Sequence, residues 1–370
     1  MKTVLISGAS VAGLTLAHWL RRHGYAPTVV ERAPALRPGG QALDVRGVAL
    51  GVLDRMGVLP EARALRTRMR GMTMLDGEGN EQWSSTEMAL SSGRLDSDDI
   101  ELLRDDLTQL LYGHARDGVE YVFGDRLTAL DEDADGVHAA FERGPRRTFD
   151  LVVGADGLHS AVRRLAFGPE PEFVHPLGPY VAVFATENFL ELDNWQTWLT
   201  DGTATYCVYP ARDNTELRVT LGFVAPEPVE CDHRDTPAQK AILAERMSHL
   251  GGDTPRLLKA MWDAPNLYFD VMAQIRMDHW TKGRIALVGD AAYCPSPLSG
   301  QGTSLAVVGA YALADELGRA AGDHAAAFAR YEERLRPYVE LNQALATENP
   351  NGPASEESAE RAKNAFALDA

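Results

Sequence analysis

Thr3-Val4-Leu5-Ile6-Ser7-Gly8-Ala9-Ser10-Val11-Ala12-Gly13-Leu14-Thr15-Leu16-Ala17-His18-Trp19-Leu20 sets the architecture of the chain. Lys2 to Ser7 is a short apolar run rich in β-formers, and it ends in a cluster of glycine and small residues. Leu14, Leu16, Ala17 and Leu20 then recur at helical spacing, until Arg21-Arg22-His23-Gly24 supplies a basic last turn and a glycine stop. Thr28-Val29-Val30-Glu31 is the next strand. The spacing predicts a βαβ unit with parallel strands and a right-handed crossover.

Gly8-x-Ser10-x-x-Gly13 lies at the strand-to-helix turn, where outward-pointing N–H groups and the positive end of the helix favour a phosphate. Ser10 stands where the usual fingerprint has its middle glycine. Glu31, eighteen residues beyond Gly13, is placed to accept hydrogen bonds from ribose hydroxyls and to repel a 2′-phosphate. A helix opened by glycines for packing alone is the alternative, but strand, helix and acid in register favour a dinucleotide. NAD and FAD share the adenosine ribose, so this element does not choose between them.

The chain has 370 residues, of which 45% are hydrophobic and 24% charged, the composition of a globular protein. At about 150 residues per domain it has room for two to three. Its net charge of −17 disfavours nucleic acid and anionic membrane surfaces as partners. The cysteines Cys207, Cys231 and Cys294 are odd in number and far apart, which suits no disulfide framework and fits a cytoplasmic location. Val4 to Leu20 lacks the features of a signal peptide. No apolar run reaches the roughly 20 residues that span a bilayer.

Two further buried strands end in turns that carry acids. Phe149 to Gly154 runs into Ala155-Asp156-Gly157-Leu158-His159-Ser160-Ala161-Val162-Arg163-Arg164, and Arg284 to Gly289 runs into Asp290-Ala291-Ala292, followed by Pro295, Pro297 and Gly300-Gln301-Gly302. Read singly, the first is a helix cap and the second a glycine-opened helix. Between about 172 and 280 the alternation of Tyr180 to Ala185, Thr205 to Tyr209 and Glu216 to Val224 predicts antiparallel strands, with Pro237 to Trp262 helical. Beyond Ala325 the pattern is helical to about Thr347, with Pro337 expected to kink or break it. A linker over Glu348 to Ser358 follows, then one last helix over Glu356 to Leu368.

The three motifs in this order resemble the group A FAD-dependent aromatic monooxygenases of the para-hydroxybenzoate hydroxylase fold. Gly39-Gly40-Gln41-Ala42-Leu43-Asp44-Val45-Arg46 and the Pro297-x-x-Gly300-Gln301-Gly302 loop make the chain similar to tetracycline-inactivating and polyketide-tailoring members. The resemblance implies an α/β fold: a GR2-type Rossmann-like FAD-binding domain from 1–70, 98–171 and 265–324, interleaved with an antiparallel-sheet substrate domain from 71–97 and 172–264. A C-terminal helical segment and tail would span 325–370.

By the same resemblance Gly8, Ser10, Ala12 and Gly13 cradle the FAD pyrophosphate, Glu31 holds the adenosine ribose and Arg32 flanks the adenine. Arg104 matches an arginine on the pyrophosphate or ribityl chain, and Asp290 an aspartate on the ribityl hydroxyls. Gly300, Gln301 and Gly302 would bring backbone N–H groups to the flavin pyrimidine edge. Asp156 and Arg163 match a motif tied to both FAD and NAD(P)H, and Arg46 an arginine near flavin and nicotinamide.

The resemblance further implies that NADPH or NADH reduces the flavin transiently and that O2 then forms a flavin C4a-hydroperoxide, which transfers one oxygen atom. Such chemistry belongs to the cofactor, so no catalytic residue and no metal is required of the protein. Trp198, Tyr209, Phe223 and Pro297 are the candidate substrate contacts, with Trp195 and Tyr206 among the other aromatics; as a set they favour an aromatic or polycyclic ligand. His175, His233 and His279 are candidates for poising a phenol proton. Cys294 reads as a small buried hydrophobe. Against the negative net charge, Arg46 and Arg163 are expected to draw substrate and NAD(P)H. The chain is expected to act as a monomer or homodimer. The alternatives are an NAD(P)-dependent dehydrogenase using the first motif alone and a non-catalytic ligand-sensing flavoprotein. A flavin halogenase is disfavoured, because Trp195-Gln196-Thr197-Trp198 has the wrong spacing for the halogenase Trp-x-Trp-x-Ile-Pro signature.

Overall fold

The protein is described by a computed structural model over residues 1–225, 227–232, 235–349 and 352–369. The opening stretch folds as strand Thr3–Ser7 and helix Val11–Arg22, and the next strand is Ala26–Glu31. These strands pair in parallel, and Thr3–Ser7 also pairs in parallel with Leu151–Gly154. Ile285–Leu287 extends the sheet beyond Leu151–Gly154, so the ends of the three motif strands lie side by side. Both faces are covered, as a parallel sheet requires: Val4, Leu5, Ile6, Val29, Val152, Val153 and Leu287 are buried in one core with Leu14, Leu20, Val307 and Leu313 of the flanking helices.

The second layer is a seven-stranded sheet. Val174–Glu187, Glu216–Val224 and Ala204–Ala211 run antiparallel to one another, flanked by Trp195–Thr200, Gly71–Leu75 and Glu81–Ser85 on one side. Its other edge is Tyr268–Ile275, which pairs with Val174–Glu187. Tyr268–Ile275 falls within the 265–324 segment expected in the FAD-binding domain, and its backbone pairs antiparallel with Val174–Glu187 of the second sheet.

Alternation along these strands separates two faces. Leu199, Tyr206, Val208, Leu217, Val219 and Leu221 pack against Leu243, Met247, Leu257 and Met261 of helices Thr236–Met247 and Thr254–Asp263. The helical stretch expected as one piece is therefore two, broken at Gly251-Gly252, where a Cβ on Gly251 would overlap the Glu78 backbone. The opposite face carries Thr205, Cys207, Tyr209 and Thr220 and looks toward the first domain.

Helix Gly302–Arg319 packs on Val11–Arg22, and His324–Glu348 packs on Gly302–Arg319. The latter continues through Pro337 instead of ending there. Leu335, Tyr338 and Val339 are buried around that proline, and their packing outweighs the missing backbone bond. A last helix, Glu356–Lys363, ends before Leu368. Among the described residues no helix is long and apolar enough to cross a membrane.

Candidate cofactor and substrate site

The glycine turn is tightly made. Gly8 has φ +108° and its N–H donates to the Val30 carbonyl at 2.8 Å, while a Cβ on it would overlap the Ala155 carbonyl. A Cβ on Gly13 would overlap the Gly8 carbonyl oxygen. Both positions therefore exclude any side chain. The first helical bond is from Leu14 N–H to Ser10 O, so the N–H groups of Val11, Ala12 and Gly13 stay available to an anion. Ser10 caps nothing with its own hydroxyl. Glu31 is buried and holds the turn: its Oε2 accepts from Ala9 N–H and its Oε1 from Ala33 N–H, each at 2.9 Å. Arg32 beside it is exposed and lines the same cavity.

The motifs touch one another. A Cβ on Gly289 would come within 3.0 Å of Ala12 Cβ, and Arg163 Nη1 donates to the Ala291 carbonyl at 2.9 Å. Asp290 opens the short helix Asp290–Tyr293 and lines the cavity, with burial raising its carboxyl above the ordinary range. Asp156 is occupied as a cap. It accepts from Ser160 Oγ, from Ser7 Oγ at 3.1 Å, from Ala161 N–H at 2.9 Å and from Val162 N–H at 3.2 Å.

Arg163 corrects an expectation. It is 0% exposed, and its two Nη atoms are held by the carbonyls of Ala291 and Leu158 and by Glu170, so it presents no donor to solvent. The sequence reading passed over its neighbour His159. That ring meets Glu170 Oε1 at 2.8 Å and Asp270 Oδ2 at 2.9 Å, and the bonds to Asp270 and then Glu170 push its pKa up to about 10. Asp270 belongs to the second sheet, so the imidazolium joins the two domains. The signal was present in Tyr268-Phe269-Asp270-Val271-Met272, an acid interrupting an apolar strand.

Arg104 opens helix Arg104–Ala115 and lines the cavity, but its Nη2 donates to the carbonyls of Arg37, Pro38 and Gly39 at 3.0, 3.3 and 2.6 Å. It thereby shapes the loop around Gly40, where a Cβ would overlap its Nε. Arg46 reaches the third motif: a Cβ on Gly300 would stand 3.6 Å from its Nη1. Its backbone N–H donates to Ser304 Oγ at 3.0 Å, and its Nη2 lies 2.9 Å from Asp44 Oδ2.

Of the three loop donors expected at Gly300, Gln301 and Gly302, two are used within the loop itself. Gly300 N–H already donates to Pro297 O at 3.0 Å and Gln301 N–H to Ser299 Oγ at 3.1 Å. Gly302 and the residue after it, at the start of helix Gly302–Arg319, keep free N–H groups. The Gln301 side chain is 1% exposed, lines the cavity, and has no partner for either amide atom. A buried amide without partners is costly unless a ligand completes it. Together with the bare glycine turn, this makes the residues present a fit for FAD.

A single cavity of about 2550 Å³ runs from the glycine turn past Asp290 and Gly300–Gly302 to the open face of the second sheet. Drug-sized ligands occupy about 300–1,000 Å³, so there is room for a dinucleotide and a second molecule. Trp198, Tyr209 and Pro297 line it. Trp198 donates its indole N–H to Gln196 Oε1 at 2.6 Å, and Tyr209 accepts Ala42 N–H at 2.7 Å. Phe223 reaches the rim, but its ring stacks on Tyr180 at 5.2 Å and packs in the helix-covered core. Tyr206 also lies in that core, and Trp195 bonds Thr73 away from the cavity. His175 and His279 are exposed and outside the cavity, His279 pairing with Glu332; His233 lies outside the described residues. Cys294 is buried near Asp290.

Comparison with known proteins completes the picture. Residues 1–345 match the FAD binding domain family. An uncharacterised protein of Mycobacterium tuberculosis is 54% identical over 98% of this chain and 97% of its own. A flavin-dependent monooxygenase of an unknown prokaryotic organism is 41% identical over 93% of this chain and 88% of its own. The crystal structure of the tetracycline destructase Tet(55) superposes with a TM-score of 0.88 at 38% identity, covering 100% of this chain and 98% of that one. The structure of Tet(51) gives 0.87 at 35% identity, over 98% and 95%. The chain belongs to the FAD-binding family of flavin-dependent monooxygenases, and it is an oxidoreductase.

Proposed function

We propose that this enzyme uses NADPH or NADH and O2 to insert one oxygen atom into an aromatic or polycyclic small molecule of the polyketide or tetracycline type. The observation that carries the reading is the continuous cavity, which joins the dinucleotide turn to a sheet face bearing Trp198 and Tyr209. FAD held there would supply the activation of O2, from which the transferred oxygen atom comes. The likeness to two tetracycline destructases supports the polycyclic substrate class.

In this reading the N–H groups of Val11, Ala12 and Gly13 bind the pyrophosphate, with Gly8 and Ser10 leaving space for it. Glu31 takes the adenosine ribose and Arg32 flanks the adenine. Asp290 bonds the ribityl hydroxyls, while Gly302 N–H and the Gln301 amide meet the flavin ring beside Gly300. Arg104 acts by fixing the 37–40 loop, and Asp156 by capping the second motif's helix against Ser7. Trp198, Tyr209 and Pro297 shape an apolar wall that keeps water from the reacting atoms; Phe223 contributes from the rim.

The test is NAD(P)H oxidation by the FAD-loaded protein with and without tetracycline and a panel of polycyclic phenols. Acceleration by one of them, with a modified product, supports the reading. Oxidation that no compound accelerates favours a ligand-sensing flavoprotein. The dehydrogenase alternative loses its ground because the family match over residues 1–345 takes in all three motifs.

A further inference from the structure

Many carboxylates line the large cavity, and most of them are already committed. Glu31 and Asp125 are taken up by backbone N–H groups, Asp156 by a helix cap, and Asp270 and Glu170 by His159. Asp99 holds Gly47 N–H and Lys363 Nζ, each at 2.8 Å, and Asp96 pairs with Arg94. Asp290 belongs to the flavin loop. Asp44 differs from all of these. It lines the cavity on the strand Ala42–Val45, and among the described residues it receives no backbone N–H and pairs with Arg46 alone, itself 17% exposed.

The surroundings of Asp44 are short of positive charge. Glu101 sits directly opposite in the antiparallel register, buried and bonded by Thr67 Oγ1 at 2.7 Å. Asp99 lies on the turn before that strand, with Lys363 and Glu360 of the last helix against it. From the facing sheet come Cys207 and Tyr209, both neutral because burial and the Glu101 charge raise them. Four acids, Asp44, Glu101, Asp99 and Glu360, thus share Arg46 and Lys363. Burial, with Glu101 and Asp99 adding to it and Arg46 opposing, raises the Asp44 pKa to about 7.

Resting on the monooxygenase reading above, we propose that Asp44 is the catalytic proton acceptor of the site, taking the proton of an acidic enol or phenol hydroxyl on the substrate. The substrate O–H bond breaks and an O–H bond forms on Asp44; the negative charge passes from the carboxylate to the substrate oxygen, which Arg46 then faces. No oxidant or reductant enters this step. An oxyanion donates electrons into its ring, which prepares the adjacent carbon for an electrophilic oxygen. The substrate class narrows accordingly to molecules with an enol or phenol beside the carbon to be oxidised.

The test uses oxidised, FAD-loaded protein without NAD(P)H, so that nothing turns over, and tetracycline as the probe. Binding is followed by tryptophan quenching and by the absorption of the bound probe across the neutral range. In the wild type, bound tetracycline shows its ionised chromophore at a pH where the free molecule is protonated. Its affinity falls about tenfold per pH unit on the acid side of the Asp44 titration. Asp44→Asn binds the neutral form with no acid limb, whereas Asp44→Glu keeps both features; Asp44→Ser replaces Asp44→Asn if the latter does not fold. An Asp44→Asn protein with the wild-type profile and the ionised spectrum overturns the proposal. Should tetracycline bind at no pH, the polycyclic reading falls, and Asp44 is then tested by infrared difference spectra of the FAD-loaded proteins. A carboxyl band that titrates near 7 in the wild type and is missing in the variant upholds the proposal, and the lack of such a band overturns it.

Discussion

Glu31 closes the glycine turn on Ala9: its Oε2 accepts the Ala9 N–H at 2.9 Å while Oε1 accepts the Ala33 N–H at 2.9 Å. One carboxylate thereby fixes the path of the chain on both sides of the cofactor site. Glu31→Ala is expected to weaken FAD binding by about 1–3 kcal/mol, the scale of a lost charged hydrogen-bond partner. Titration of the apoprotein with FAD measures this, and an unchanged affinity would refute the role.

Gly13 and Gly113 offer opposite outcomes for the same substitution. A methyl group on Gly13 meets the Gly8 carbonyl, so Gly13→Ala should lose FAD and cost about 1–3 kcal/mol or more of stability. Gly113 has nothing within 4 Å of its Cβ position and lies inside helix Arg104–Ala115. Gly113→Ala should therefore gain about 0.5–1 kcal/mol. Thermal unfolding and the ratio of flavin to protein read both.

His159 gives the domain junction a pH dependence. Its folded pKa of about 10 lies above the ordinary 6.5, so its contribution is complete below 6.5 and is lost as pH rises through about 10. The ring is about half exposed, so its pairs contribute on the order of 1 kcal/mol or less. The melting-temperature difference between wild type and His159→Gln should be largest at acid to neutral pH and close by pH 10. A difference that grows with pH would contradict the clamp.

Arg163 should behave as a structural residue. Removing it leaves the buried carbonyls of Ala291 and Leu158 without their donor and takes one of two partners from Glu170, and Arg163→Ala is expected to cost about 3–5 kcal/mol of stability. Denaturant unfolding of the variant checks the size. A stable variant that had lost only NAD(P)H affinity would restore the role expected from the sequence.

The βαβ opening was legible because its periods are local, and the acid at Glu31 falls where the second strand ends. The capping role of Asp156 was one of two readings open at that motif, since Asp and Ser before a helix serve a cap as readily as a cofactor. What could not be read was long-range. Asp270 becomes meaningful only when its strand lies against His159, 111 residues away, and Asp44 only when Glu101 stands opposite it. The continuity of His324–Glu348 through Pro337 likewise depends on tertiary packing around Leu335 and Tyr338, which no helical pattern encodes. Phe223 is a substrate candidate by residue type, and strand alternation packs its ring into the helix-covered core beside the cavity that it also lines.

The proposed reaction transfers one oxygen atom from O2 to a polycyclic substrate. The most direct measurement incubates the FAD-loaded enzyme with NADPH, tetracycline and isotopically labelled O2, and weighs the product by mass spectrometry. A product carrying one labelled oxygen atom per NADPH consumed in coupled turnover is expected. NADPH consumption that yields only hydrogen peroxide, with tetracycline and every polycyclic phenol recovered unlabelled, would contradict it.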